Sequence, residues 1–137
     1  MTLEGRTILV TGAGRGFGWG VAVACARAGA TVVATDINED DLGRALGDLE
    51  GLREGSGALG FALDVADPEA FEAVAAQVLQ RTGRIDGLVH SAIYMPLAPL
   101  AATSVAEWRR QLEVGLSGLF YGVRATWTAL GRRGGHI

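Results

Sequence analysis

The stretch Thr11-Gly12-Ala13-Gly14-Arg15-Gly16-Phe17-Gly18 decides the fold of this 137-residue chain. It follows a short β-branched run at residues 7–10 and precedes a segment whose apolar residues have helical spacing. Glycine permits a tight turn and a close approach of the backbone to a ligand, and the start of a helix offers N–H groups that lack partners within the helix. The stretch is therefore predicted to be a strand-to-helix turn that can bind a phosphate group.

The rest of the chain alternates between strands and helices. Strands are predicted at residues 7–10, 31–36, 59–65 and 85–90, and a further strand is expected to begin within residues 134–137. Four helices are predicted between them, and their start signals are a glycine turn, Asn38, Asp67-Pro68 and the capping box Ser104-x-x-Glu107. This order predicts an α/β fold with a doubly wound parallel sheet, in which residues 1–137 are one domain that stops at the start of its fifth strand.

Two helices have apolar patterns that predict which face they bury. In the first, Phe17, Val21, Ala24, Cys25 and Ala28 follow one helical face, and Cys25 is expected to be a small core residue. The last helix is predicted to be long and continuous, with a wide apolar face that we expect to mediate homo-oligomer formation. The residues of that face are Trp108, Leu112, Leu116, Leu119, Phe120, Val123 and Trp127.

Composition and charge exclude several classes of protein. Twelve basic residues, all arginine, face fifteen acidic residues for a net charge of −3, so neither nucleic acid nor an anionic membrane surface is an expected partner. One cysteine allows no internal disulfide or multi-cysteine metal site, and a reducing, cytoplasmic setting is expected. We also expect no secretory signal and no membrane-spanning segment.

Asp36 strengthens the interpretation of the glycine turn as a nucleotide site. It ends the second predicted strand eighteen residues after Gly18, where its carboxylate can accept hydrogen bonds from the hydroxyl groups of a ribose. The alternative is that the glycines only permit close packing of helix on strand and that Asp36 caps a loop.

The pattern T-G-x-x-x-G-x-G at Thr11 to Gly18 resembles the cofactor fingerprint of the short-chain dehydrogenase/reductase family, and the resemblance runs from about Gly5 to Ile137. It implies a Rossmann-type sheet and an NAD(P)-dependent oxidoreductase of small alcohol or carbonyl substrates. It also implies that Asp64-Val65 reads the adenine ring and that the loop with Tyr94, Met95 and Pro96 borders the substrate. The implied cofactor-binding residues are Thr11, Gly12, Gly14, Arg15, Gly16, Phe17, Gly18, Asp36, Ile37, Asp64, Val65, Ser91 and Ala92.

The chain departs from the family pattern where the chemistry would take place. His90-Ser91-Ala92-Ile93 stands where the family has Asn-Asn-Ala-Gly, and Gly115 stands at the position of the catalytic asparagine. The family's Tyr-x-x-x-Lys is absent, since neither tyrosine has a lysine four residues later and the chain contains no lysine. We therefore predict no catalytic residue and no metal site in these 137 residues, and no turnover by this chain alone.

Asp36 favours NAD over NADP, because its carboxylate would repel a 2′-phosphate, whereas Arg15 leaves NADP as an alternative. Two other functions compete with the cofactor-binding half of an oxidoreductase. One is a non-catalytic dinucleotide-binding module or partner subunit, for which the departures at Gly115 and Ser91 count. The other is a transferase that uses S-adenosylmethionine, which Thr11 disfavours because an acid usually precedes that glycine loop.

Overall fold

The computed structural model describes residues 2–52 and 57–137. In this part of the chain, strands β1 (Thr7–Thr11), β2 (Thr31–Asp36), β3 (Leu59–Ala62) and β4 (Gly87–His90) form one parallel sheet in the order β3-β2-β1-β4. The chain moves from β1 toward one edge and then crosses to the other side, so the strand order reverses between β1 and β4. Ligands of such sheets bind beyond the carboxyl ends of the strands at this point.

Helices cover both faces of the sheet, which confirms the predicted doubly wound fold. They are α1 (Gly16–Arg27), α2 (Glu39–Leu52), α3 (Pro68–Thr82), α4 (Val105–Leu112) and α5 (Gly118–Gly131). A hydrophobic core lies on each face of the sheet, because successive strand residues point to opposite faces. Leu9 and Val33 pack with α3 and α5 on one face, while Ile8 and Val10 pack with α1 and α2 on the other.

The predicted apolar face of α1 was wrong. Phe17 is 79% exposed and Ala24 is exposed, whereas Gly18, Ala22 and Ala26 are buried. These small residues, four apart, let the helix axis approach the sheet more closely than the larger side chains would allow. Cys25 is half-buried at the edge of this core rather than within it, and burial raises the pKa of its thiol.

The predicted long helix is interrupted by a π-helical segment, Glu113–Ser117, that separates α4 from α5. The buried stripe of α5 begins with the small residues Gly118, Gly122 and Thr126, and a Cβ on Gly122 would lie 2.7 Å from the Phe71 ring. Most of the apolar residues predicted for this helix therefore point outward, and Leu116, Phe120 and Trp127 are 60 to 66% exposed, whereas Val123 packs against the core.

Strand ends also differ from the predictions. Residues 63–65 do not continue β3, because β2 ends at Asp36, the register partner of Ala62. Strand β4 begins at Gly87 rather than at residue 85, since its pairing with β1 starts at Ile8. At the other side of β4, His136 forms a parallel bridge with Gly87, at the position where the fifth strand was predicted to begin.

Asp86 ties the amino ends of β1 and β4 together. Its buried carboxylate accepts hydrogen bonds from the Thr7 amide at 2.8 Å and from two nitrogens of Arg84 at 2.6 Å. Burial by itself raises the pKa of Asp86. The hydrogen bonds and the charge of Arg84 together lower it by more, so the pKa of Asp86 lies below its ordinary value. This ion pair lies at the opposite end of the strands from the cleft described next.

Candidate functional site

The turn between β1 and α1 is built on close backbone contacts. Gly12 has φ +63°, and a Cβ there would lie 2.8 Å from the Ala92 Cα in the segment after β4. A Cβ on Gly18 would overlap the Gly12 carbonyl oxygen. Glycine at these two positions therefore brings the turn, the start of α1 and the residues after β4 into contact.

The start of α1 has the properties of an anion site. Arg15 is the N-cap residue, its side chain makes no capping hydrogen bond within the described residues, and the first turn contains no acid. Gly16, with φ +62°, has no heavy atom of the described chain within 4 Å of the place of its Cβ. The first N–H groups of α1 have no partner within the helix, and the residues that carry them line a cleft, so this cradle fits a pyrophosphate.

Asp36 holds the turn and also lines the cleft. Its Oδ2 accepts a hydrogen bond from the Gly14 amide and its Oδ1 accepts one from the Asn38 amide, both at 2.9 Å. An ionised carboxylate can accept about four hydrogen bonds, so acceptor capacity remains for the hydroxyl groups of a ribose.

These elements surround a cleft of about 600 Å³ at the carboxyl ends of the strands. Of the residues predicted to bind a cofactor, all except Thr11 and Gly14 line it. Thr11 is fully buried beneath it, and Gly14 packs against Asp36. Tyr94, which was predicted to border the substrate, also lines the cleft, and the lining residues that the sequence did not indicate are Asn38, Leu63, Ile93, Arg110 and Val114. Met95 and Pro96 are not part of this lining.

Arg110 reaches the cleft from α4. Its Nη2 donates a hydrogen bond to Asp64 Oδ2 at 2.8 Å, and Asp64 Oδ1 accepts another from the Ala66 amide at 3.0 Å. Asp64, which lies two residues after the end of β3, is therefore ion-paired with Arg110. No local signal identifies this contact in the sequence, since the two residues are 46 positions apart.

Thr11 and His90 connect the glycine turn to the π-helical segment. The Thr11 hydroxyl oxygen accepts hydrogen bonds from the backbone N–H groups of Ser91 at 3.1 Å and Ala92 at 3.2 Å. Its own proton is therefore available to be donated to His90 Nδ1 at 3.2 Å. We therefore assign the other ring proton to Nε2, which donates to the Val114 carbonyl at 3.1 Å. Burial lowers the pKa of His90 and outweighs the opposite effect of these carbonyl groups.

Gly115 follows Val114 within the π-helical segment. A Cβ at this position would meet no heavy atom within 4 Å in the described part of the chain, so a side chain can be accommodated there. The glycine is thus not required by packing, in contrast to Gly118, where a Cβ would lie 2.9 Å from Val65.

Two negative findings apply to residues 2–52 and 57–137. This part of the chain contains no cluster of three or more histidine, cysteine or acidic side chains that could hold a metal ion. It also contains no helix of the length and apolarity needed to cross a membrane.

The parallel sheet, the glycine turn at its strand-order reversal and the acid at the end of β2 define a Rossmann-like α/β protein. A family model described as short chain dehydrogenase matches residues 6–137. The chain belongs to the short-chain dehydrogenase family, as its sequence motifs indicated, and membership implies a nicotinamide dinucleotide cofactor in general.

Characterised relatives support this assignment. The chain is 38% identical over 133 residues to D-threitol dehydrogenase of Mycolicibacterium smegmatis, covering 97% of this chain and 50% of the relative. It is 34% identical over 139 residues to sorbitol dehydrogenase of Cereibacter sphaeroides, covering 100% of this chain and 52% of that relative. This chain therefore spans about half the length of these curated relatives.

Solved structures show the same fold. Levodione reductase superposes with a TM-score of 0.89 at 26% identity, covering 98% of this chain and 52% of that one. The 2-keto-3-deoxy-D-gluconate dehydrogenase of Streptococcus agalactiae superposes with a TM-score of 0.81 at 32% identity, covering 97% and 49% of the two chains.

Proposed function

We propose that residues 1–137 are the NAD-binding half of an oxidoreductase that acts on a small alcohol or carbonyl compound. The observation that carries the proposal is the single cleft that joins the start of α1 to Asp36 and Asp64. The relatives named above are dehydrogenases and a reductase, which favours this function over a non-catalytic binding module.

Each part of the cleft has a role in this proposal. The free amides at the start of α1 bind the pyrophosphate, and Asp36 accepts the hydroxyl groups of the adenosine ribose. The adenine lies beside Asp64 and Val65, while Ser91, Ala92 and Tyr94 lie toward the nicotinamide. The cofactor, when bound, supplies the hydride-accepting ring. Asp36 favours NAD, because a 2′-phosphate would place negative charge beside this carboxylate.

Turnover is not proposed for these residues by themselves. In this family a tyrosine acts as general base next to a lysine, and the ammonium group lowers the pKa of that tyrosine. Neither Tyr94 nor Tyr121 has a lysine four residues later. The substrate must therefore be activated by groups outside residues 1–137.

The outer face of α4 and α5 is proposed to join copies of the protein. Trp108, Phe120 and Trp127 are each more than half exposed, and exposed large apolar residues are typical of interfaces. We also propose a cytoplasmic setting, which agrees with the single half-buried thiol of Cys25.

Isothermal titration with NADH tests the proposed function. We expect saturable binding to one site, competition by ADP-ribose and no heat from S-adenosylmethionine. Asp36→Asn should weaken NADH binding by about tenfold, because a charge-assisted hydrogen bond to the ribose is lost. Asp48→Asn, an exposed acid of α2, is the matched control and should leave the affinity unchanged. A folded chain that binds no NADH, or that binds S-adenosylmethionine instead, would contradict the proposal.

A further inference from the structure

We propose that Asp41 is a specificity-determining residue, whose ion pairs with Arg15 and Arg44 offset the attraction of Arg15 for the 2′-phosphate of NADP. The inference rests on the proposed dinucleotide-binding function and deepens it. It adds to Asp36, which lines the cleft, a second acid that lies behind the glycine turn and is not part of the cleft lining.

Asp41 is fixed in position by its neighbours. It lies in the first turn of α2, is only 8% exposed, and donates its backbone N–H to Asn38 Oδ1 at 3.0 Å. Its Cβ lies 2.9 Å from the place that a Cβ on Gly14 would occupy. The missing side chain of Gly14 therefore lets the start of α2 pack directly against the glycine turn.

Two arginines converge on this buried carboxylate. Asp41 Oδ2 lies 3.8 Å from Arg15 Nε, and Asp41 Oδ1 accepts a hydrogen bond from Arg44 Nη2. Both arginine side chains are otherwise largely exposed, at 85% for Arg15 and 74% for Arg44. Arg15 also lines the cleft, whereas Arg44 does not, so Arg15 is the arginine of this cluster that a bound cofactor would meet.

The charges of these groups balance. Arg15 and Arg44 contribute two positive charges, and Asp36 and Asp41 contribute two negative ones, so a 2′-phosphate meets no net attraction. Guanidinium groups bind phosphate well only when their donors are free to contact it. Without the Asp41 charge the cluster would have one excess positive charge, and Arg15, which lines the cleft, would attract a 2′-phosphate there.

The test measures binding of NADPH and NADH by calorimetry to the full polypeptide that carries this sequence. Asp41→Asn keeps the size of the side chain, and we expect it to raise NADPH affinity by about three- to tenfold while NADH affinity changes less than about twofold. Asp40→Asn removes the same charge from the neighbouring position, where the described residues form no ion pair, and should change neither affinity. In an Arg15→Gln background, Asp41→Asn should lose most of its effect on NADPH affinity, because the arginine that lines the cleft is then absent.

The outcomes separate this inference from the function on which it rests. If the parent protein binds NADH but Asp41→Asn leaves the NADPH-to-NADH affinity ratio unchanged, the inference is overturned and the proposed function stands. If neither the parent nor any variant binds NADH, the proposed function itself fails. If Asp41→Asn does not fold, Arg15→Gln alone tests the inference. An arginine whose charge is offset by Asp41 contributes little to NADPH binding, so Arg15→Gln should leave NADPH affinity nearly unchanged. A marked loss of NADPH affinity would overturn the inference.

Discussion

The two segments that flank the cleft on either side of the strand-order reversal are built differently. The turn after β1 depends on backbone, since Gly12 and Gly18 are in close contact with main-chain atoms. The segment after β4 depends on side chains, since His90 reaches across to the Val114 carbonyl. Both segments line the same cleft, so one binding space is held by main-chain packing on one side and by a side-chain bridge on the other.

Backbone contacts at the first segment predict the largest mutational effect. Gly18→Ala would place a Cβ against the Gly12 carbonyl, and because neither is a flexible side chain the turn must shift. We expect a loss of about 3 kcal/mol in the free energy of unfolding and at least a tenfold loss of NADH affinity, measured by chemical denaturation and titration.

The matched control for this prediction is Gly20→Ala, one half-turn further along α1, where no heavy atom of the described chain lies within 4 Å of the new Cβ. Helix propensity should make it about 0.5 to 1 kcal/mol more stable than the parent. Equal effects of the two substitutions would show that close packing at Gly18 does not hold the turn.

A second pair of glycines, Gly122 in α5 and Gly115 in the π-helical segment, tests the elements that pack beside the segment after β4. Gly122→Ala would bring a Cβ within 2.7 Å of the Phe71 ring and 3.1 Å of Leu88, and we expect it to cost about 1 to 3 kcal/mol of stability. Gly115→Ala meets open space and should be neutral or slightly stabilising. If thermal unfolding ranks the two in the opposite order, the π-helical segment is packed more tightly than its geometry indicates.

The smallest predicted effect concerns the link between the two segments. His90→Asn keeps a polar side chain but is too short to bridge Thr11 and Val114, and we expect a loss of about 1 kcal/mol at pH 8 from the broken hydrogen bonds. NADH affinity should fall less than in Gly18→Ala, because the glycine turn keeps its own contacts.

The same residue predicts a pH dependence with a defined sign. Because the folded pKa of His90 lies below that of the unfolded chain, the unfolded state binds more protons between the two pKa values. The contribution of His90 to the free energy of unfolding should therefore fall as the pH drops below about 6.5 and should level off below its folded pKa. His90→Asn should remove this slope, whereas substitution of the exposed His136, the second histidine of the chain, should retain it.

Sequence patterns predicted the elements better than the faces they bury. The order of strands and helices and the parallel sheet were correct, because turn residues and helix caps such as Asp67-Pro68 act locally. The buried face of α1 was misjudged, because an apolar stripe marks a packing face only when large side chains do the packing. Here Gly18, Ala22 and Ala26 pack, and small residues carry little hydrophobic signal.

The sequence alone determined the glycine turn, the acid at the end of β2 and the family of the protein, since each depends on residues close together in the chain. Only the tertiary structure decided which distant groups pair across the cleft. Arg110 binds Asp64 over 46 positions and His90 meets Thr11 over 79, while Arg15 lies beside an acid on another helix. Such pairs arise because parallel strands bring their carboxyl ends to one edge of the sheet. Polar and charged groups that are remote in the sequence therefore come within contact distance there, where they interact strongly.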